Sequence, residues 1–429
     1  MNRIATFRGK DFYQGLFDVL VLGMGAAKGY LFDHGPRVAV QAESIGRRLG
    51  MEDHALAEVF FGAVLADVGM IGLVEDEWEI PVPELSAAAR LEVRRHPARS
   101  AAAAALIPLL DQVGILIRHH HEWWDGTGYP DGLAGEQIPL GSRVIRLADT
   151  VTALGEPRPH RPKRGPEEIR ATVASSSGRE FDPDLASAWL ELFDADELPT
   201  VQSAIYREIR ERAVETLLFI GQASEPDGAL LLELLAFLID AKDPYTGGHS
   251  RRVARLAQAV AGGMGLDDGR QEEARAAGYL HDLGKLAVPS RVLRKPEALT
   301  HSEHDQVRRH TEDGAELLGE IPVLRPLAPA CRYHHERWDG GGYPDGLSGD
   351  DIPEVARILA VCDAYDAMTS ERAYRSGRSH SDAIEEVRDQ TGAQFGPAEA
   401  QAFLALPDNI FHEISLLHDE GWDPLAPDR

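Results

Sequence analysis

The amino-acid sequence predicts an all-α protein built from two similar helical bundles, and three observations indicate this fold class. Apolar residues recur at helical spacing in most segments, as in the stretch 253–260. Strand-like alternation of apolar and polar residues is almost absent. One long motif occurs twice, because His34 recurs 215 residues later as His249 and Asp149 recurs 214 residues later as Asp363. In a chain of 429 residues, each copy is long enough to bury a core of its own.

The repeat indicates where the domains begin and end. The expected parts are a first domain at 1–198, a helical linker at 199–228 and a second domain at 229–429. The linker is charged and helix-favouring from Pro199 to Phe219, with Ser224 to Gly228 as its hinge. Homodimerisation through this linker helix is a further expectation. Matching loops rich in glycine and proline interrupt the two bundles, at 125–139 and 339–353.

The composition excludes several classes of protein. A formal net charge of -26 repels phosphate backbones at long range, so nucleic-acid binding is not expected, whereas a small anionic substrate could be neutralised locally. No apolar run is long enough for a membrane span, and Met1 to Phe12 shows no secretory signal. Cys331 and Cys362 are then expected to be buried thiols in a reducing compartment. We expect a cytoplasmic protein without a membrane segment.

The second copy of the motif contains a set of side chains suited to metal ions. These are His249, His281, Asp282, His310, His334, His335 and Asp363. Neighbours on a helix diverge by about 100 degrees, so His281 and Asp282 can belong to one centre only if metals lie between their side chains. Five imidazoles and two carboxylates are too many for one ion, and mixed nitrogen and oxygen donors favour iron, manganese or zinc over magnesium or calcium. The pattern therefore predicts two metals, with Asp282 as the bridge.

The first copy lacks two members of the corresponding set. Ala66 stands at the position of His281, and Met70 stands at that of Lys285. The side chains that it keeps are His34, Asp67, His96, His120, His121 and Asp149. Because an imidazole and a cation are missing, we expect weak or absent turnover here, although the retained side chains could hold one ion. The copy is then a scaffold that buries a face of the active domain, or a ligand sensor.

At these residues the chain resembles the HD-GYP family, a branch of the HD-domain metal-dependent phosphohydrolases. The resemblance extends over about 230–406 and depends on His-Asp-Leu-Gly-Lys at 281–285 and His-His-Glu-Arg-Trp-Asp-Gly-Gly-Gly-Tyr-Pro at 334–344. It implies a helical domain that hydrolyses cyclic di-GMP to pGpG and, in many members, to GMP. It assigns the seven side chains above to a di-iron or di-manganese centre. It also implies substrate contacts from Lys285, Arg372 and Arg375, with a pocket shaped by Gly342, Tyr343 and Pro344.

The residues themselves support this chemistry. A metal pair held by Asp282 could activate water and neutralise phosphoryl oxygens, and Lys285 could stabilise charge on the reacting phosphate. Arg372 and Arg375 lie one turn apart and could bind the second phosphate of a cyclic dinucleotide, although a solvated helix end is an equal explanation. The first copy has Arg158 and Arg161 at their positions.

One departure from the family concerns the number of metals. Some members hold a third metal through a glutamate four residues before the first ligand histidine, where this chain has Tyr245. Two metals are therefore expected.

Two alternatives to a cyclic di-GMP phosphodiesterase stay open. The same site could cut another cyclic dinucleotide such as cyclic GMP-AMP, or a mononucleotide or alarmone, and the Gly-Tyr-Pro loop favours the cyclic dinucleotides. The protein could instead be a signalling module that binds such a nucleotide without turnover. The complete ligand set of the second copy argues against that, since a pure binder does not need a pair of water-activating metals.

Overall fold

The structure is a computed structural model, and it describes most of the chain. The described residues are 34–71, 84–106, 110–158, 162–199, 215, 228–243, 247–295, 297–370 and 377–417. They divide into two compact units, a first one within residues 24–226 and a second one from residue 227 onward. The linker predicted at 199–228 lies almost entirely outside the described residues, so its helix and the domain boundaries beside it stay predictions.

The first unit is helical throughout the part that is described. Its α-helices are α1 (His34–Arg48), α2 (Asp53–Leu65), α3 (Ala87–Ala105), α4 (Asp111–Arg118), α5 (Leu140–Gly155), α6 (Pro166–Ser176) and α7 (Pro183–Asp194). Short 3-10 helices lie at Val68–Met70 and Gly135–Gln137. The second unit repeats this order with a few added elements.

The second unit contains the complete motif. Its α-helices are α8 (Gly228–Lys242), α9 (His249–Gly263), α10 (Asp268–Leu280), α11 (Ser290–Leu293), α12 (His301–Arg308), α13 (His310–Glu320), α14 (Ala328–Tyr333), α15 (Glu354–Thr369), α16 (His380–Asp389), α17 (Pro397–Leu404) and α18 (Asp408–Ser415). Its 3-10 helices are Leu283–Ala287, Arg325–Leu327 and Gly349–Asp351. Among the described residues β-structure is limited to isolated bridges, one in each unit. The predicted all-α fold with two tandem bundles is confirmed.

Local sequence explains where the helices around the motif begin and end. The carboxylate of Asp267 accepts a hydrogen bond from the amide of Arg270 at 3.0 Å and so caps the start of α10. Gly248 has φ of 71° directly before α9, a conformation that favours glycine. Helix α12 starts with a capping box between Thr300 and Glu303. These caps fix the starts of three helices that lead to motif residues.

The core of the second unit holds the motif helices against one another. The apolar side of α9 is fully buried, as is that of α15, where Ile358, Leu359 and Val361 show no measurable exposure. Close packing also requires Gly284, because a Cβ atom there would lie 1.9 Å from the carbonyl oxygen of His310. This glycine lets the turn after α10 approach the start of α13. Across the described part of the chain, no helix is long and apolar enough to cross a bilayer.

Candidate metal centre

The seven predicted ligand side chains meet at one place in the second unit, although they come from distant parts of the chain. His249 begins α9, His281 and Asp282 follow α10, His310 begins α13, His334 and His335 follow α14, and Asp363 lies in α15. Three overlapping trios among them bring one donor atom from each member within 4.8 Å of the others. The structure therefore brings together every residue that the sequence selected as a ligand, and their metal-binding role remains a proposal.

Backbone carbonyls orient three of the imidazoles. The Nδ1 atoms of His281, His310 and His334 lie 2.8, 2.6 and 2.7 Å from the carbonyl oxygens of Gly278, Val307 and Cys331. Since a carbonyl only accepts, each Nδ1 carries the proton and each Nε2 is left with a free lone pair. These Nε2 atoms point into the cluster, where those of His310 and His334 are 3.4 Å apart. This is the tautomer that a metal ligand needs.

Asp282 lies between two groups of nitrogen donors. Its Oδ1 atom is 3.3 Å from Nε2 of His310, on the side of His334 and His335. Its Oδ2 atom is 3.4 Å from Nε2 of His281 and 3.7 Å from Nε2 of His249. The two carboxylate oxygens thus face different histidine groups. This geometry suits a carboxylate that bridges two cations, and the buried lone pairs around it suit divalent ions with nitrogen and oxygen ligands.

Burial and neighbouring charges set the protonation of the centre. Burial, reinforced by the other histidines, holds the pKa of His334 well below its usual value, and burial lowers that of His310 to about 3. Partial burial would lower the pKa of Lys285, but the carboxylate of Asp282, 2.7 Å from its Nζ atom, raises the pKa of the ammonium group above its ordinary value. His310 and His334 are therefore neutral donors, and Lys285 is a fixed positive charge beside them.

An acidic side chain that the sequence analysis did not select accepts a hydrogen bond from the ring of His249. Asp366 accepts a hydrogen bond from Nδ1 of His249 at 2.8 Å, and Nε of Arg252 donates to it at 2.6 Å. Burial would raise the pKa of Asp366, but His249 and Arg252 lower it to about 2, so it is ionised. The available signal was its position one turn after Asp363 on the same helix. Such an outer partner fixes the orientation of a ligand histidine.

The Gly-Tyr-Pro loop forms one wall of a cavity next to the histidines. Oε1 of Glu336 accepts hydrogen bonds from the amides of Asp345 and Gly346 at 2.8 and 3.0 Å, which holds the loop in place. The ring of Tyr343 stacks on His335 with centroids 4.9 Å apart, and the guanidinium of Arg308 lies 4.9 Å from the centre of the same ring. The cavity has a volume of about 360 Å³. Arg308 is a pocket residue that the sequence analysis missed.

Some predicted site residues lie outside the described residues. These are Arg372, Arg375, Tyr245 and, in the first unit, Arg161. Their predicted roles, including the absence of a third metal ligand at 245, are therefore untested. Arg158 is described, and its Nη2 atom lies 3.6 Å from a carboxylate oxygen of Glu156.

The first unit repeats this geometry with gaps. Ala66 and Met70, at the positions of His281 and Lys285, are buried apolar residues. Nδ1 of His34 lies 2.9 Å from the carboxylate of Glu156, the residue directly after α5. The acidic partner of His34 therefore does not occupy the position that corresponds to Asp366. The copy therefore retains supported histidines but lacks one imidazole and the ammonium group.

Comparisons with known proteins agree with these observations. The profile of the family described as HD domain matches residues 26–185 and again 233–398. A 3'3'-cGAMP-specific phosphodiesterase of Vibrio cholerae is 31% identical over 326 residues, which cover 75% of this chain and 67% of that protein. A cyclic di-GMP phosphodiesterase of Thermotoga maritima is 37% identical over 182 residues, and the match spans 42% of this chain and 50% of that protein.

A solved structure agrees on the fold. The crystal structure of a cyclic GMP-AMP specific phosphodiesterase of Vibrio cholerae aligns with 92% of this chain and 98% of its own, with a TM-score of 0.53 and 24% sequence identity. The profile matches cover both units, and the motifs of the second unit are complete. The chain therefore belongs to the HD-domain family, with two tandem domains of the HD-GYP type, the first of them degenerate.

Proposed function

We propose that the second unit is a metal-dependent phosphodiesterase that hydrolyses a cyclic dinucleotide, with cyclic di-GMP as the first candidate substrate and pGpG or GMP as the product. The observation that carries this proposal is the position of Asp282, whose two oxygens face two separate groups of histidines beside a cavity. The relatives in Vibrio cholerae and Thermotoga maritima are named as phosphodiesterases of cyclic dinucleotides, which supports the same class of substrate.

The proposed ligands divide into two groups that share Asp282. His249, His281 and Asp363 form the first group, and His310, His334 and His335 form the second. The ions we propose are iron or manganese, with zinc as an alternative. When bound, such a pair activates a water molecule and neutralises phosphoryl oxygens. The protein's own contribution is to orient the imidazoles, through the backbone carbonyls and Asp366.

Other side chains of the second unit are placed to handle the substrate. Lys285 is a half-buried cation next to the shared carboxylate, and we propose that it stabilises negative charge on the reacting phosphate. Gly342, Tyr343 and the cation Arg308 line the cavity, and we propose that they contact the substrate, with Pro344 shaping the loop. Arg372 and Arg375 remain predicted contacts of the second phosphate.

Two rival functions have specific support. The first-named relative in Vibrio cholerae, which matches both units of this chain, is specific for 3'3'-cGAMP, and this favours cyclic GMP-AMP as the alternative substrate. A module that binds nucleotide without turnover would explain the degenerate first unit. It would leave unexplained why the second unit gathers the seven proposed ligands in one cluster beside the ammonium group of Lys285.

Product analysis separates these functions. The full-length protein, loaded with manganese or with iron(II) under anaerobic conditions, is incubated with cyclic di-GMP and with 3'3'-cGAMP, and the products are separated by chromatography. We expect pGpG or GMP from cyclic di-GMP, and no product from the variant with His281→Ala and Asp282→Ala. The matched control is Asp67→Ala in the first unit, which should leave hydrolysis intact.

Each other result has a definite meaning. Faster cleavage of 3'3'-cGAMP would replace the first candidate substrate by the second. Binding of either nucleotide without any product would favour the non-catalytic module. If Asp67→Ala abolished hydrolysis while the double variant kept it, the division of labour between the two units would be reversed.

A further inference from the structure

The first unit has a charged pair where the second unit has an alanine and a glutamine. Arg146 lies in α5, one turn before Asp149, and its counterpart in α15 is Ala360. Glu180 likewise corresponds to Gln394. Both counterparts line the cavity beside the histidines of the second unit. In the first unit, the guanidinium and carboxylate groups occupy the equivalent positions and bind each other, since Nη2 of Arg146 donates to Oε1 of Glu180 at 2.5 Å.

The Arg146 guanidinium also reaches the histidine cluster of the first unit. Its Nη1 atom is 2.8 Å from Nδ1 of His121 and 3.6 Å from Oδ2 of Asp149. A guanidinium has no acceptor, so this nitrogen of His121 must direct its lone pair at the arginine. In the second unit the same nitrogen of His335 lies 4.0 Å from Asp363. The guanidinium of Arg146 therefore contacts both His121 and Asp149. Their counterparts in the second unit are proposed ligands of two different metal ions.

Three donors of the first unit are free of contact with the arginine. Nε2 of His96 is 3.3 Å from Nε2 of His120 and 3.3 Å from Oδ1 of Asp67. The Nδ1 atoms of both histidines lie 2.7 and 2.6 Å from backbone carbonyl oxygens, so both Nε2 atoms are left with a free lone pair, and that of His96 lies beside the carboxylate. The counterpart of the group formed by His249, His281 and Asp363 has Ala66 in place of an imidazole, and its carboxylate, Asp149, is paired with the arginine.

We propose that the first unit binds one divalent cation, at His96, His120 and Asp67, and that the guanidinium of Arg146 takes the place of a second ion. Two imidazoles and a carboxylate suit zinc, iron or manganese. Like charges at short range exclude each other, so the arginine disfavours a further ion at its own position. The proposal rests on the proposed function for the correspondence between the two units and for the two ions expected in the second unit.

Metal content of the full-length chain tests the first half of this proposal. The protein is stripped with a chelator and reloaded with manganese, and bound metal is counted by mass spectrometry of the element. We expect about three ions per chain, and about one fewer after His96→Ala. Unchanged content in His96→Ala, or a loss of two ions, would overturn the single-ion site.

A second set of variants tests the arginine. Ala66→His restores the missing imidazole, and we expect no gain of metal from it alone because Arg146 remains. Combining Ala66→His with Arg146→Ala should add about one ion per chain. The matched control combines Ala66→His with Arg143→Ala, which removes a cation of the same helix that pairs with Asp182 outside the cluster and should add none.

The metal counts of these variants test the role of Arg146. A further ion in Ala66→His alone, or none in the combination with Arg146→Ala, would overturn the role of the arginine. Circular dichroism confirms that each variant is folded, and the count for His96→Ala does not depend on the added histidine. Failure of the proposed function would appear separately, as metal content that does not respond to His281→Ala and Asp282→Ala.

Discussion

A matched pair of substitutions in the Gly-Tyr-Pro loops gives the sharpest test of how the second unit uses its fold. Glu336 is 2% exposed and accepts two backbone hydrogen bonds, at 2.8 and 3.0 Å. Glu122 of the first unit is equally buried and accepts the equivalent pair at 2.7 and 3.0 Å. Glu336→Gln and Glu122→Gln therefore remove the same carboxylate charge from the same local structure.

The expected loss of stability follows from these hydrogen bonds. A bond to a charged acceptor contributes about 1 kcal/mol more than one to a neutral acceptor, so the two bonds together lose roughly 2 kcal/mol. For a unit of this size that lowers the unfolding temperature by roughly 4–8 °C. Activity should differ between the variants, because only the loop held by Glu336 positions Tyr343 against His335 beside the proposed centre.

Calorimetry and product formation measure the two effects. We expect similar shifts of the unfolding temperature in both variants, whereas hydrolysis falls only in Glu336→Gln when measured well below the transition. Equal activity in the two variants would refute the argument that the loop positions the site. A shift in only one of them would refute the equivalence of the two loops.

Three further outcomes are expected. Lys285→Met copies the residue at Met70 and should slow hydrolysis by roughly ten- to a thousandfold with nearly normal metal content, and full activity would assign the lysine a structural role. Gly284→Ala should cost about 1–3 kcal/mol of unfolding free energy because its Cβ has no room, whereas Gly319→Ala, with nothing within 4 Å, should be neutral or slightly stabilising. Manganese affinity should fall about tenfold for each unit of decreasing pH near neutrality, because one proton must leave His249 before metal binds. Burial would lower the pKa of His249, but hydrogen bonds to two aspartates outweigh it and raise that pKa to about 10. An affinity independent of pH in a titration would contradict that protonation state.

Some properties of the site could be predicted from residue order, since helical periodicity and a duplicated motif are visible along the chain. The seven ligand candidates of the second unit are an example, and the structure places all of them in one cluster. The absence of an imidazole at Ala66 and of an ammonium group at Met70 could also be predicted from the sequence, because alignment of the two copies is enough to show it. The sequence also indicated two ions that share Asp282, since five imidazoles and two carboxylates are too many for one ion.

Other properties depend on which distant elements pack together, and no local pattern encodes them. Asp366 lies within α15 and Glu156 directly after α5, so alignment of the copies alone would not pair these two partners of equivalent histidines. The contact of Arg308 with Tyr343 joins residues from separate elements. Arg146 would pass for an ordinary surface arginine, and only its hydrogen bond to His121 reveals that it enters the cluster. The sequence by itself determined the helical repeat and the set of candidate ligands. The tertiary structure decided their tautomers and their partners, because these depend on distances between side chains that are far apart in the chain.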